Sequence, residues 1–257
     1  MPDSITFINH ATVLLQLDGI CILTDPIYSL TVSYLFPRLQ KPGIPFDDLP
    51  PIDYVLISHN DFDHLNLKTL RRLRRRRAST ILFPNGLGSF GHRTGFQDVV
   101  EMNPWEEFER GRLKITCVPA KHLSKRRPRD RRGSACCGYV IQANSRTVYF
   151  AGDTGYADFF RELGKRYTID VALLPIGAYK PHDWFKDIHL NPHTTIRAFI
   201  DLQARHLIPI HWGTFWISDE PMSEPPILLR QEAERHGIQR GVHILRNGEQ
   251  FLFSRDL

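Results

Sequence analysis

The chain has 257 residues, 42% of them hydrophobic and 24% charged, with a formal net charge of +5. This is the composition of a folded globular protein, and a chain of this length buries about three quarters of the surface its unfolded form exposes, so it needs neither disulfides nor metal simply to fold. The longest apolar runs, such as Val171-Ala172-Leu173-Leu174-Pro175-Ile176, fall far short of the roughly 20 residues that span a bilayer, and Met1-Pro2-Asp3-Ser4 lacks the basic start and apolar stretch of a secretory leader. Disordered, collagenous, coiled-coil and membrane-spanning classes are excluded. The charge is uneven: residues 68–77 carry +7 and residues 125–132 carry +5, leaving the rest net acidic. Two basic clusters on an acidic background point to an anionic partner (phosphate, nucleic acid or a lipid surface), against the plainer reading of a solvated face. Cys21, Cys117, Cys136 and Cys137 form no CxxC pair, which argues against a cysteine zinc site and for a reducing cytoplasm.

In chain order, Ala11 to Leu17 and Cys21 to Asp25 read as strands joined at Asp18-Gly19, a hairpin signal. Tyr54 to Ser58 is a short buried strand, and Leu67, Leu70 and Leu73 recur at helical spacing. Thr80 to Phe83 is the next strand, stopped by Pro84-Asn85-Gly86. Leu113 to Val118, Gly138 to Gln142 and Val148 to Phe150 follow as strands, the adjacent cysteines at 136 and 137 suiting a strand better than a disulfide. A helix runs from about Tyr156 to Lys165, and Val171 to Ile176 is a buried strand. Asn191-Pro192 starts a helix running to about Ala204, and Leu207 to Ile210 is a strand. Ser223 caps a helix that ends at His236 and Gly237, and Val242 to Leu245 pairs with Gln250 to Phe253 through Asn247-Gly248. Two halves of strands and helices, roughly 1–110 and 111–257, predict two face-to-face sheets with helices outside, an α/β (α+β) fold sharing one core as a single domain over 1–257.

The chemistry concentrates where strands end. Ser58-His59-Asn60-Asp61-Phe62-Asp63-His64 places four potential ligands within six residues, and only a turn curling around a common point gathers them. A cation there relieves the repulsion between Asp61 and Asp63. Three further strands end in a lone His or Asp: His122 after Val118-Pro119-Ala120-Lys121, Asp153 after Phe150-Ala151-Gly152, and His211 after Pro209-Ile210. Each alone has a plain alternative as a hydrogen-bonded loop residue. Together His59, Asp61, Asp63, His64, His122, Asp153 and His211 supply enough nitrogen and oxygen donors for two divalent metal ions.

This pattern resembles the metallo-β-lactamase superfamily, with its His-x-His-x-Asp-His motif, then a lone His, a lone Asp and a final His. The nearest branch is similar to N-acyl-phosphatidylethanolamine-hydrolysing phospholipase D. The words that carry it are Ile8-Asn9-His10-Ala11-Thr12-Val13-Leu14, Leu23-Thr24-Asp25-Pro26, Pro50 to His59, Pro175-Ile176-Gly177-Ala178-Tyr179 and Ile210-His211-Trp212-Gly213-Thr214-Phe215. The resemblance implies a four-layer αββα sandwich with the site at one edge. It implies a first metal on His59 and His122, a second on Asp63, His64 and His211, and Asp153 bridging both. It also implies His189 near the substrate phosphate and Tyr179 as a substrate contact. The departure is Asp61, which stands where the family has the motif's second histidine. A carboxylate remains an acceptable zinc ligand, and the added oxygen makes Mn²⁺ or Fe²⁺ more competitive.

The expected activity is a metal-dependent hydrolase, foremost a phosphodiesterase acting on a small anionic or lipid-like phosphodiester, with water activated between the metals. Asp63 and His189 are the catalytic candidates, Asp63 orienting the nucleophile and His189 contacting substrate or protonating the leaving group. Arg126, Arg127 and Arg129 begin just past His122 and are candidate substrate contacts on the site rim. His10 and Asp25 have no ligand spacing and read as supporting residues. A sugar-phosphate lactonase, a nuclease or nucleic-acid-binding protein, and a non-catalytic metal-binding protein are the competing readings. Peripheral contact with an anionic membrane is compatible with the arginines, and the expected location is cytoplasmic.

Overall fold

The computed structural model describes residues 2–33, 35–75, 80–126 and 134–253. Arg76, Arg77, Arg127 and Arg129 therefore lie outside the described residues. From the N-terminus come β1 (Ser4–Asn9), β2 (Thr12–Leu17), β3 (Ile20–Thr24), two short strands β4 (Thr31–Val32) and β5 (Phe36–Pro37), and β6 (Tyr54–Leu56). Then follow α1 (Leu67–Arg75), β7 (Thr80–Pro84), α2 (Gly88–Thr94), β8 (Asp98–Met102), β9 (Glu107–Arg110), β10 (Leu113–Pro119), β11 (Cys137–Ala143) and β12 (Arg146–Phe150). The rest is α3 (Phe159–Arg166), β13 (Val171–Pro175), α4 (His182–Phe185), α5 (Pro192–Leu202), β14 (His206–Ile210), α6 (Glu224–Arg235) and β15 (Gln250–Leu252).

The strands form two main sheets, ordered β15-β1-β2-β3-β6-β7-β8 and β14-β13-β12-β11-β10-β9. Each begins as an antiparallel meander and turns parallel, at β3–β6 in the first and β12–β13 in the second. Side-chain alternation builds three apolar layers from these sheets. Leu113, Ile115 and Cys117 of β10, with Val171 and Leu173 of β13, meet Phe7, Val13, Leu15 and Leu56 between the sheets. Ala172 and Leu174 point the other way, onto Phe160 of α3, Ile196 of α5 and Leu229 of α6. On the opposite outer face, Leu70 and Leu73 of α1 and Phe90 of α2 cover Val55, Ile81 and Phe83. The result is the expected αββα sandwich.

Local signals and structure agree where the signal is strong. Leu17 faces Ile20 across the Asp18-Gly19 turn, and the Asn191 side chain accepts from the Thr194 backbone N–H in a reciprocal capping box. Cys137 is buried at the start of β11, and all four cysteines are free. Two expectations need correction. The Ser223 side chain makes no capping hydrogen bond. The C-terminal hairpin does not form: Val242 makes a single parallel bridge to Leu207, and β15 crosses to the other sheet to pair with β1. The Gly248 N–H donates to the Phe7 carbonyl at 2.7 Å, so the Asn-Gly turn hands the chain from one sheet to the other. No helix among the described residues is long and apolar enough to cross a membrane.

Candidate metal centre

The donors sit in loops at adjacent ends of both sheets. After β6, the Ile57 N–H donates to Leu82 of β7, and the Ser58 carbonyl accepts from the Cys137 N–H of the second sheet at 2.9 Å. The Asp61 carbonyl then accepts from both the His64 and Leu65 N–H groups, which is the turn the ligand spacing requires. Gly152, before Asp153, is obligatory: its φ is +59°, and a Cβ would lie 2.5 Å from that of Ser58. His10, Asp25 and His211 themselves adopt positive φ, at 50°, 32° and 59°. Such backbone costs about 1–3 kcal/mol each in non-glycine residues and is held only where the surroundings enforce it. Here the His211 N–H donates to the His10 carbonyl at 2.8 Å, joining two of these positions across the sheets.

Asp153 lies at the centre. Its Oδ2 is 3.1 Å from His211 Nε2, 3.2 Å from His64 Nε2 and 3.9 Å from His59 Nε2. Asp61 Oδ2 lies 3.4 Å from His122 Nε2 and 3.6 Å from His59 Nε2. Asp63 Oδ2 lies 3.4 Å from His211 Nε2 and 3.5 Å from His64 Nε2. Donor atoms of His59, Asp61 and His122 fall within 4.8 Å of one another, as do those of His10, Asp63, His64 and His211, and those of His122, Asp153 and His189.

Anchors behind the ligands aim them inward. His64 Nδ1–H donates to Asp25 Oδ2 at 2.7 Å, and His122 Nδ1–H donates to the Ile188 carbonyl at 3.0 Å. His59 Nδ1 is 2.8 Å from Ser58 Oγ, which in turn donates to Asp25 Oδ2 at 2.5 Å. Three imidazoles thereby keep Nδ1 as the donor to an outer partner and turn Nε2 to the centre. Asp61 is treated alike: Ser124 Oγ at 2.6 Å and the Lys125 N–H at 3.0 Å hold its Oδ1, leaving Oδ2 to the cluster.

The electrostatics suit a cation. Burial opposes protonation of His211, yet the neighbouring Asp153 and Asp63 carboxylates outweigh it and raise its pKa to about 9. Burial acts the same way on His64, and Asp153 and Asp63 again win, holding its pKa well above the usual value. Burial raises the Asp153 carboxyl, but His211 and His64 pull it well below the carboxylate range. Protons on imidazoles thus supply positive charge that a metal would otherwise bring. Meanwhile Nε2 of His59, His64 and His211 and Oδ1 of Asp153 are buried without a hydrogen-bond partner among the described residues. Buried orphan donors of this kind are costly unless coordinated, so the residues present fit a divalent metal.

Every sequence-predicted ligand is brought to this cluster. His189 joins it, its ring 5.0 Å from His122 and 5.6 Å from His211, and burial lowers its pKa to about 3. The substrate candidates fare differently. The Tyr179 hydroxyl donates to Glu224 Oε1 at 2.6 Å. Arg126 Nη1 donates to the carbonyls of Asn60 and Leu65 at 2.8 Å, and its guanidinium lies 4.2 Å above the Phe62 ring. It clamps both ends of the ligand loop, a role the sequence does not advertise. His10, read as supporting, is in direct contact: its Nε2 donates to Asp63 Oδ2 at 3.0 Å. The centre opens into a mouth of about 280 Å³ whose lining includes Asp61, Phe62, Asp63, Leu123 and Lys125.

A cluster of histidines and aspartates able to hold metal, at the loop edge of an αββα sandwich, is the arrangement of a metal-dependent hydrolase. The family described as "Beta-lactamase superfamily domain" matches residues 21–212. The chain belongs to the metallo-β-lactamase superfamily of metal-dependent hydrolases. It is 33% identical over 226 residues to the N-acyl-phosphatidylethanolamine-hydrolyzing phospholipase D 1 of Caenorhabditis elegans, covering 82% of this chain and 64% of that one. It is 30% identical over 249 residues to a UPF0173 metal-dependent hydrolase of Methanopyrus kandleri, covering 96% and 98%. Among solved structures, a metallo hydrolase from Ignicoccus hospitalis superposes with a TM-score of 0.78 over all of both chains at 23% identity. The chain spans only 50% to 66% of the length of its mycobacterial, nematode and yeast relatives.

Proposed function

We propose that the chain is a dinuclear phosphodiesterase, phospholipase D-like, acting on a small anionic or lipid-like phosphodiester, and that residues 1–257 form its single catalytic domain. The observation that carries the reading is the shared carboxylate: Asp153 faces His59 on one side and His64 and His211 on the other. His59, Asp61 and His122 would hold one cation, Asp63, His64 and His211 the other, with Asp153 common to both. Zinc is the assigned metal, with Mn²⁺ and Fe²⁺ as competitors for this mixed donor set. When bound, such a pair acidifies water and neutralises charge developing on phosphoryl oxygens.

The chain's own residues do the rest. His10 holds Asp63 Oδ2, which fixes the carboxylate that orients water. His189, whose pKa burial lowers to about 3, is neutral and offers an imidazole N–H to a phosphoryl or leaving-group oxygen. The mouth combines Lys125 with the exposed side chains of Phe36, Phe62 and Leu123, a mixture suited to an amphiphilic anion and to peripheral contact with an anionic membrane. The nematode relative, named for hydrolysing a phospholipid diester, supports the same substrate class. Four free cysteines support a cytoplasmic location. Hydrolysis of bis-p-nitrophenyl phosphate, measured beside a panel of lactones, tests the assignment. Diester turnover that is lost on chelation and restored by zinc is expected; turnover of lactones alone contradicts it.

A further inference from the structure

Beside the metal mouth lies a second, larger groove of about 480 Å³. The two adjoin, with Ser33 and Phe62 in the lining of both. Their chemistry differs. The mouth carries Asp61 and Asp63, whereas the groove is lined by Lys68, Arg71 and Arg72 of α1 and by Arg126, with no carboxylate among the described residues that line it. Ser29, Thr31 and Thr69 also line it, and the Tyr28 hydroxyl in the same wall is buried without a hydrogen bond among the described residues.

Lys68, Arg71 and Arg72 of one helix share this cleft, Arg72 Nη2 also lying 3.8 Å from Asp47 Oδ1, and such a cluster of cations favours an entering anion. Two of the groove's cations are held in place already: Arg72 stacks 3.7 Å above the Phe46 ring, and Arg126 is pinned by the ligand-loop carbonyls. A cleft whose charges are pre-positioned loses little side-chain freedom on binding. Its volume is that of a small-molecule site, enough for one phosphate with its carbon linker and too small for a polymer. Leu30, Leu67 and Phe62 give that linker an apolar wall.

We propose that this groove is a substrate subsite for a second anionic group of the phosphate class, carried by the diester away from its scissile bond. The proposal rests on the phosphodiesterase reading. It is tested with two chromogenic diesters, glyceryl p-nitrophenyl phosphate and its counterpart phosphorylated on the far hydroxyl, against the zinc-loaded wild type and a Lys68→Ser/Arg71→Ser variant. Both residues are exposed on α1, so the fold tolerates their loss. The wild type should favour the doubly anionic diester in kcat/KM by on the order of tenfold, and the variant should lose that preference. An equal ratio in both proteins overturns the proposal. If neither diester turns over, the phosphodiesterase reading fails, and equilibrium dialysis with glycerol bisphosphate still decides the groove. Weaker binding by the variant supports it, and equal binding overturns it. Loss of binding to phosphatidylglycerol vesicles with an unchanged diester ratio would assign the cations to a lipid surface and also overturn it.

Discussion

Asp25 lies outside the ligand motif, yet its two oxygens receive the Ser58 N–H, the Ser58 hydroxyl and His64 Nδ1. Through Ser58 it also governs His59. Asp25→Asn should therefore lower metal affinity about 10–100-fold while leaving the fold in place, because the outer partner sets tautomer and aim; metal content after dialysis against a chelator, with circular dichroism as control, reads this out, and full retention of metal would count against it. Asp61→Ala should empty the first site while the second keeps its metal, whereas Asp61→His should restore both, as metal content per chain would register. The seven donors were legible because four crowd one loop after an apolar strand and the other three each follow the end of another. His10 was not, since its contact with Asp63 spans 53 residues and has no spacing signal. The hold of Arg126 on the Asn60 and Leu65 carbonyls was not legible either, because those carbonyls reach it only once the loop is folded.

At the scale of elements, close approach sets the limits. A Cβ on Gly177 would sit 2.2 Å from the His211 carbonyl oxygen, so Gly177→Ala should cost about 1–3 kcal/mol and weaken the second metal site. Thermal melts and metal content together check this, and wild-type values in both would contradict it. Tyr139 of β11 donates to the Ile57 carbonyl at 2.9 Å, tying the second sheet to the strand that carries the ligand loop. Tyr139→Phe should cost about 0.5–1.5 kcal/mol, visible as a lowered melting temperature. Elements with strong periodicity were readable from sequence alone. Helix α2 was not, since Gly88-Ser89-Phe90-Gly91-His92-Arg93-Thr94 is poor in helix formers. The terminal hairpin failed for the opposite reason: a good local turn lost to pairing of β15 with β1, which closes the first sheet over the shared core.

For the whole molecule, proton and metal compete for the same buried nitrogens. The folded pKa of His211, about 9, lies above the ordinary 6.5. In the metal-free protein its contribution to stability is therefore complete below pH 6.5 and lost as pH rises through 9. Metal affinity runs the other way, rising over that interval as the protons become easier to displace. Calorimetry of zinc binding at pH 7.5 in buffers of different ionisation enthalpy should show net proton release, and none would contradict the assignment of His64 and His211 as protonated ligands. The central claim is that two donor groups sharing Asp153 hold a cation pair on which diester hydrolysis depends. Titrating zinc into chelator-stripped protein while following bis-p-nitrophenyl phosphate hydrolysis tests it most directly. Activity should rise from baseline to a plateau at about two equivalents per chain; a plateau at one equivalent, or activity indifferent to metal, would contradict it.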